Sequence, residues 1–140
     1  MTVMKNLLIC SGVLLGAAVL AGCGTANTHD TAIRDAVANR VFLYQAPGGD
    51  ATLQVVRANG YFGGGCSSQI LIDDQFAAQL EIGEQASFHL PSGTHTVGLR
   101  NSGACRKVGD HAQLSANLGA GDTVLVEVNK FGSSLSQAKR

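Results

Sequence analysis

The side chains of this chain that could do chemistry fall into four groups, separable by spacing. Cys10 and Cys23 sit within or just after an apolar run, whereas Cys66 and Cys105 lie far downstream with neither CxxC nor zinc-finger spacing. His89 and His95 flank Pro91-Ser92-Gly93. If those three residues form a hairpin loop, the two imidazoles face each other at about 5 Å and supply two of the three or four ligands a metal needs. A two-residue loop shifts the register and separates them. Ser67, Ser68, Asp110, His111 and Asp122 include every residue type of a hydrolytic triad, but no G-x-S-x-G elbow accompanies them. Asp73 and Asp74 are adjacent, so on a strand they point to opposite faces, and they read as a solvated turn. None of these groups amounts to an enzyme signal, and no cofactor is implied.

The element that governs the rest is N-terminal. Met1–Asn6 carries one lysine, Leu7–Leu20 is apolar, and Leu20-Ala21-Gly22 are small or aliphatic residues before Cys23. That order reads as a secretory signal with its cleavage region. At about 1.5 Å per residue the apolar core is too short to cross a hydrocarbon layer of roughly 30 Å as a helix. Leu20-Ala21-Gly22-Cys23 resembles the lipobox of bacterial lipoproteins. The resemblance implies cleavage before Cys23, acylation of its thiol by palmitate-type chains, and residence on a lipid bilayer through that residue. With Gly24 rather than Asp after the cysteine, it also implies the outer membrane. Several acyl chains, at about 0.8 kcal/mol per buried methylene, make a stable anchor where one would not.

Cleavage after residue 22 of 140 leaves 118 residues, one small domain, and because Lys5 is the only charge removed the formal charge falls from 0 to −1. There is no basic field for nucleic acid, which excludes that class of partner. Trp is absent, which counts against a carbohydrate-stacking platform. With Cys10 discarded and Cys23 lipidated, Cys66 and Cys105 remain, and in an oxidising compartment they read as one disulfide. Closing a loop of that length stabilises by roughly 4 kcal/mol in the chain-entropy model.

Abundant glycine and the lack of a long 3.6-period stripe predict short strands joined by tight turns. Residues 23–39 read as a lipidated tether, with Asp30–Asn39 either a short helix or its continuation. The domain spans 40–131. Strands are expected at Val41–Tyr44, Thr52–Arg57, Gln69–Asp73, Phe76–Leu80, Ala86–Leu90 and Thr94–Arg100. A closing hairpin follows, Ala112–Leu118 with Thr123–Asn129. Residues 132–140 read as a disordered tail. The sum is an all-β fold, a small antiparallel β-sandwich of about seven strands.

Tyr61-Phe62-Gly63-Gly64-Gly65-Cys66 is glycine-rich but lacks the Lys and Ser/Thr of a phosphate loop. Its glycines free the backbone to deliver Cys66 to its partner, and Tyr61 and Phe62 beside it are the candidate binding edge. The stretch from Ile70 to Arg100 looks like the PEGA-type module of small lipoproteins. It shares the order of apolar strand (Ile70–Asp74), short strand (Phe76–Leu80), Pro-Gly turn (Pro91-Ser92-Gly93) and His95. The expected function is that of a non-catalytic, membrane-anchored envelope lipoprotein that binds another envelope component, a protein or a wall polymer. The alternative is a metal-binding periplasmic lipoprotein using His89 and His95.

Overall fold

Strands form where apolar residues alternate, and their inward faces meet in one core. The structure, a computed structural model, describes residues 32–60, 66–108 and 111–138. Among the described residues there are nine strands: β1 (Arg34–Asp35), β2 (Ala51–Arg57), β3 (Ser68–Ile72), β4 (Gln75–Leu80), β5 (Glu84–Leu90), β6 (Gly93–Asn101), β7 (Ala112–Leu118), β8 (Thr123–Val128) and β9 (Leu135–Gln137). They build a five-stranded sheet in the order β1-β5-β2-β8-β9 and a four-stranded sheet in the order β4-β3-β6-β7. Between the sheets lie Leu53 and Val55 of β2, Ile70 and Ile72 of β3, Leu80 of β4, Phe88 and Leu90 of β5, Val97 and Leu99 of β6, Leu118 of β7 and Val126 of β8, all essentially without solvent contact. The all-β sandwich is therefore the fold. It is not purely antiparallel: β2 pairs parallel with β8 from Thr52↔Thr123 to Arg57↔Val128, and β1 pairs parallel with β5.

The centre of the chain follows the alternation of its sequence. Asp73 and Asp74 join β3 to β4 with φ of 50° and 65°, the left-handed pair a two-residue hairpin turn requires and one that aspartate tolerates. Farther out, the connections differ from expectation. The turn at Pro91-Ser92-Gly93 carries the chain from one sheet to the other, so β5 and β6 are not hairpin partners. Asp50 fastens this crossing, its carboxylate accepting from the Ser92 amide at 2.5 Å and hydroxyl at 3.0 Å. Gly49 beside it lies so close to the backbone of Leu90 that no Cβ would fit.

Gly119–Asp122 likewise is not a hairpin turn. It arches between sheets, and its Gly121 amide donates to the Asp50 carbonyl at 2.6 Å. The physical reason is shared. Strands β7 and β8 each present an apolar face, Ala116 and Leu118 from one and Val124, Val126 and Val128 from the other. Those faces bury against each other across the core rather than side by side.

Both ends of the domain also differ. Residues 34–45 are not a tether and a strand but a strap along one side of the sandwich. β1 and a 3-10 turn at Ala38–Arg40 come first, and Val41 then bridges Ala78 while the Phe42 amide donates to the Ala77 carbonyl at 2.8 Å. Tyr44, at φ 59°, ends the extended stretch before a strand can grow, and its carbonyl accepts from the His89 amide at 2.9 Å. At the other end, Leu135–Gln137 of the expected disordered tail pair with β8 as β9, because Asn129 and Ser133 close a turn that returns Leu135 to the core.

Candidate functional site

Cys66, just before β3, and Cys105, in a 3-10 turn at Gly103–Cys105 after β6, are joined by a disulfide with Cα atoms 5.6 Å apart. The bridge ties the entry of β3 to the turn beyond its neighbour β6, at the end of the sandwich that also holds the close of β2 at Arg57 and the close of β4 at Leu80.

That end holds a buried polar layer not anticipated from sequence. Arg57 is 3% exposed; its Nη1 donates to the Cys66 carbonyl at 2.8 Å and the Leu80 carbonyl at 3.1 Å. Burial pulls the Arg57 pKa down, and the nearby Glu81 and Glu84 carboxylates oppose it. Asn101 accepts from Ser68 Oγ at 2.9 Å and donates to the carbonyls of Val108 and Gly132. Ser67 and Ser102 share a 2.5 Å hydroxyl contact. Among the described residues no buried side-chain polar atom lacks a partner, as the cost of burying an unsatisfied group requires.

Beside this layer, Glu84 is 1% exposed and charged. Arg40 grips it with two guanidinium bonds of 2.9 and 2.8 Å, the Glu81 amide adds a third at 2.9 Å, and Arg34 stands 3.4 Å away. Burial would raise the Glu84 pKa, but these donors outweigh it and hold the carboxyl below its ordinary value. The same bond raises Arg40. The bidentate pair stitches the strap to β5 across 44 residues of chain. The signal that could have found Arg57 and Glu84 is register: residues 51, 53, 55 and 57 alternate inward on β2, as do 84, 86, 88 and 90 on β5, although Glu84 falls in what the sequence suggests is a turn.

The histidines are not brought together. His89 belongs to the five-stranded sheet opposite Thr52, and His95 to the four-stranded sheet opposite Ala116. The facing pair fails because its connecting turn changes sheets. His95 is committed elsewhere. Its Nδ1 lies 2.7 Å from Asp73 Oδ2 and its Nε2 2.8 Å from the Pro91 carbonyl oxygen. A neutral imidazole has one N–H, so hydrogen bonds to two acceptors require the imidazolium. Desolvation opposes that charge, yet the Asp73 and Pro91 bonds prevail and raise the His95 pKa. Asp73 is lowered: its own partial burial is outweighed by His95 and by the Thr96 amide at 2.9 Å. Both ring nitrogens are thus taken up by hydrogen-bond partners within the fold, and neither faces a second histidine. Among the described residues no group of three or more His, Cys, Asp and Glu is placed to hold a metal ion.

The triad residue types scatter as well. Ser67 and Ser68 are bonded within the polar layer, and Asp122 lies beside Thr52, whose amide donates to its carbonyl. His111, at φ 71°, lines a small cleft with Asp74, Arg100 and Gln113. A larger open cleft of about 300 Å³ runs between the strap and β5, lined by Asp35, Gln45, Gln85, Ser87 and His89. Its amides are already engaged: Gln85 with Asp35 at 2.9 Å, and Gln45 with the Ser87 carbonyl at 2.9 Å.

Cys23, Tyr61, Phe62 and Asp110 lie outside the described residues. An aromatic pair that the sequence reading left unassigned stands on the strap side: Phe42 and Phe76, both exposed, with ring centroids 4.9 Å apart. Compared with known proteins, the chain matches no family model and no curated sequence.

Proposed function

We propose that the chain is a non-catalytic envelope lipoprotein, anchored through acylated Cys23 and serving as a binding or accessory module for another envelope component. The observation that carries this is Leu20-Ala21-Gly22-Cys23 at the end of a short apolar run. In this reading residues 1–22 are cleaved, the outer membrane is the destination because Gly24 follows the cysteine, and the likeness to PEGA-type modules describes the region from Ile70 to Arg100.

Two features support it. A disulfide as the crosslink of a small sandwich suits an oxidising compartment beyond the inner membrane. The first described residues lie only about ten positions after Cys23 and go straight into the strap, so the lipid would sit within roughly 30 Å of the β4–β5 side of the domain at full extension.

The test is fractionation of cells producing the full chain and its Cys23→Ser variant. The parent partitions with membranes and enters detergent phase, while the variant is lost from both. Identical membrane association of parent and variant contradicts the anchor.

A further inference from the structure

Each sheet of an open sandwich ends in strands whose outer amides and carbonyls need partners, and three of the four edges here are dressed. β4 carries a bulge between Ile70 and Leu71 of its partner register and is covered by Val41–Leu43. β5 is covered by β1 and by Tyr44 and Gln45. The five-stranded sheet ends at its other side in β9, three residues long. The fourth edge, β7, has seven residues in regular register with β6. β9 of the facing sheet comes close to it, but among the described residues no backbone hydrogen bond joins the two or reaches β7 from elsewhere. Natural edges are usually blunted by charge, proline, bulge or brevity. Ala112-Gln113-Leu114-Ser115-Ala116-Asn117-Leu118 has none of these.

We infer that β7 is a self-association edge, where two copies of the chain pair antiparallel about a two-fold axis through Ser115 and join their four-stranded sheets into one of eight strands. The residue pattern selects both the occupant and the register. With the axis at Ser115 all seven residues are paired. On the exposed face Gln113 meets Asn117 of the second copy and Ser115 meets Ser115, neutral groups that can hydrogen-bond to each other. On the inner face Leu114 meets Ala116 and Ala112 meets Leu118, large opposite small each time, which prolongs the core without overpacking. An axis at Leu114 or Ala116 leaves two residues unpaired and sets leucine against leucine. No charge on the strand opposes a second copy, and the formal net charge of the chain is 0. One strand edge buries less than a standard interface, so the dimer is weak in dilute solution and is favoured wherever copies are held close together. The inference stands on the edge alone and does not depend on the Cys23 anchor.

Cysteine crosslinking of the full chain tests it, in the producing cells and in purified protein over a concentration series. Across the proposed axis the two Ser115 Cα atoms lie about 5 Å apart, within disulfide range, whereas the two Gln113 Cα atoms lie about 14 Å apart. Ser115→Cys therefore forms a homodimer bond under mild oxidation, about tenfold or more over Gln113→Cys or Asn117→Cys alone, and mixing those last two variants yields the heterodimer. Adding Gln113→Lys and Asn117→Lys to Ser115→Cys places like charges opposite each other and abolishes the crosslink. The thermal midpoint then stays within about 4 °C, since these are exposed positions. Equal crosslinking at 113 and 115, no homodimer at 115, or capture of a different protein there overturns the inference.

Discussion

At the scale of single residues the charged groups act as fasteners. Arg40 is a fifth exposed and Glu84 almost fully buried, so deleting the guanidinium leaves a buried carboxylate with only the Glu81 amide and the largely exposed Arg34 beside it. Arg40→Met is expected to lower unfolding free energy by about 2–3 kcal/mol, below the 3–5 of a fully buried pair because water reaches Arg40. Chemical denaturation measures it, and a change under about 0.5 kcal/mol would mean that the strap is not held by this pair. The Asp73–His95 contact predicts a pH signature. The His95 pKa is raised by folding, so its contribution is complete below the unfolded value near 6.5 and disappears as pH rises through the folded one. Asp73 is lowered, so its contribution is present above the unfolded value near 3.9 and disappears as pH falls through the folded one. The stability difference between the parent and His95→Gln should therefore be largest at about pH 4–6.5 and shrink on both sides. A difference that is flat from acid to pH 9 would contradict the imidazolium assignment.

At the scale of elements, alternation in sequence reports which face of a strand is buried but not which strand lies alongside. Gln69–Asp73 and Ala112–Leu118 were legible because each alternates and ends at a turn former, and Phe76–Leu80 because it follows the Asp73-Asp74 turn. The change of sheet after β5 and after β7 was not, since Pro91-Ser92-Gly93 and Gly119–Asp122 serve equally for a hairpin and for an arch; the contacts of both with Asp50 settle the matter only in three dimensions. The facing histidines depended on that choice and fell with it. β9 escaped notice because Leu135 is its one apolar residue. Arg57 and Glu84 lay in register with their inward neighbours, but a charge at a strand end reads as solvated until its partners are known, 9 and 23 residues on for Arg57 and 44 residues back for Glu84. The disulfide was legible from cysteine count and spacing. Replacing both Cys66 and Cys105 by serine should cost about 4 kcal/mol for the 39-residue separation, read as a lower thermal midpoint in non-reducing buffer. An unchanged midpoint would show that the polar layer around Arg57 and Asn101 holds that end unaided.

At the scale of the whole molecule, several of the described side chains that could do chemistry are engaged in holding the fold together. Glu84 and His95 are saturated with partners, and the serines of the polar layer bond to one another and to amides. The surface also offers a strand edge at β7 without a hydrogen-bonded neighbour, a polar cleft beside β5, and the Phe42–Phe76 pair on the strap. In the proposed reading these are the surfaces through which the module meets other molecules, and the proposed anchor decides where it meets them. Intact mass spectrometry of the full-length product extracted from its producing cells tests that most directly. The account predicts a chain beginning at Cys23 and carrying the added mass of fatty acyl groups. A chain retaining residues 1–22, or one beginning at Cys23 with no lipid mass, would contradict it.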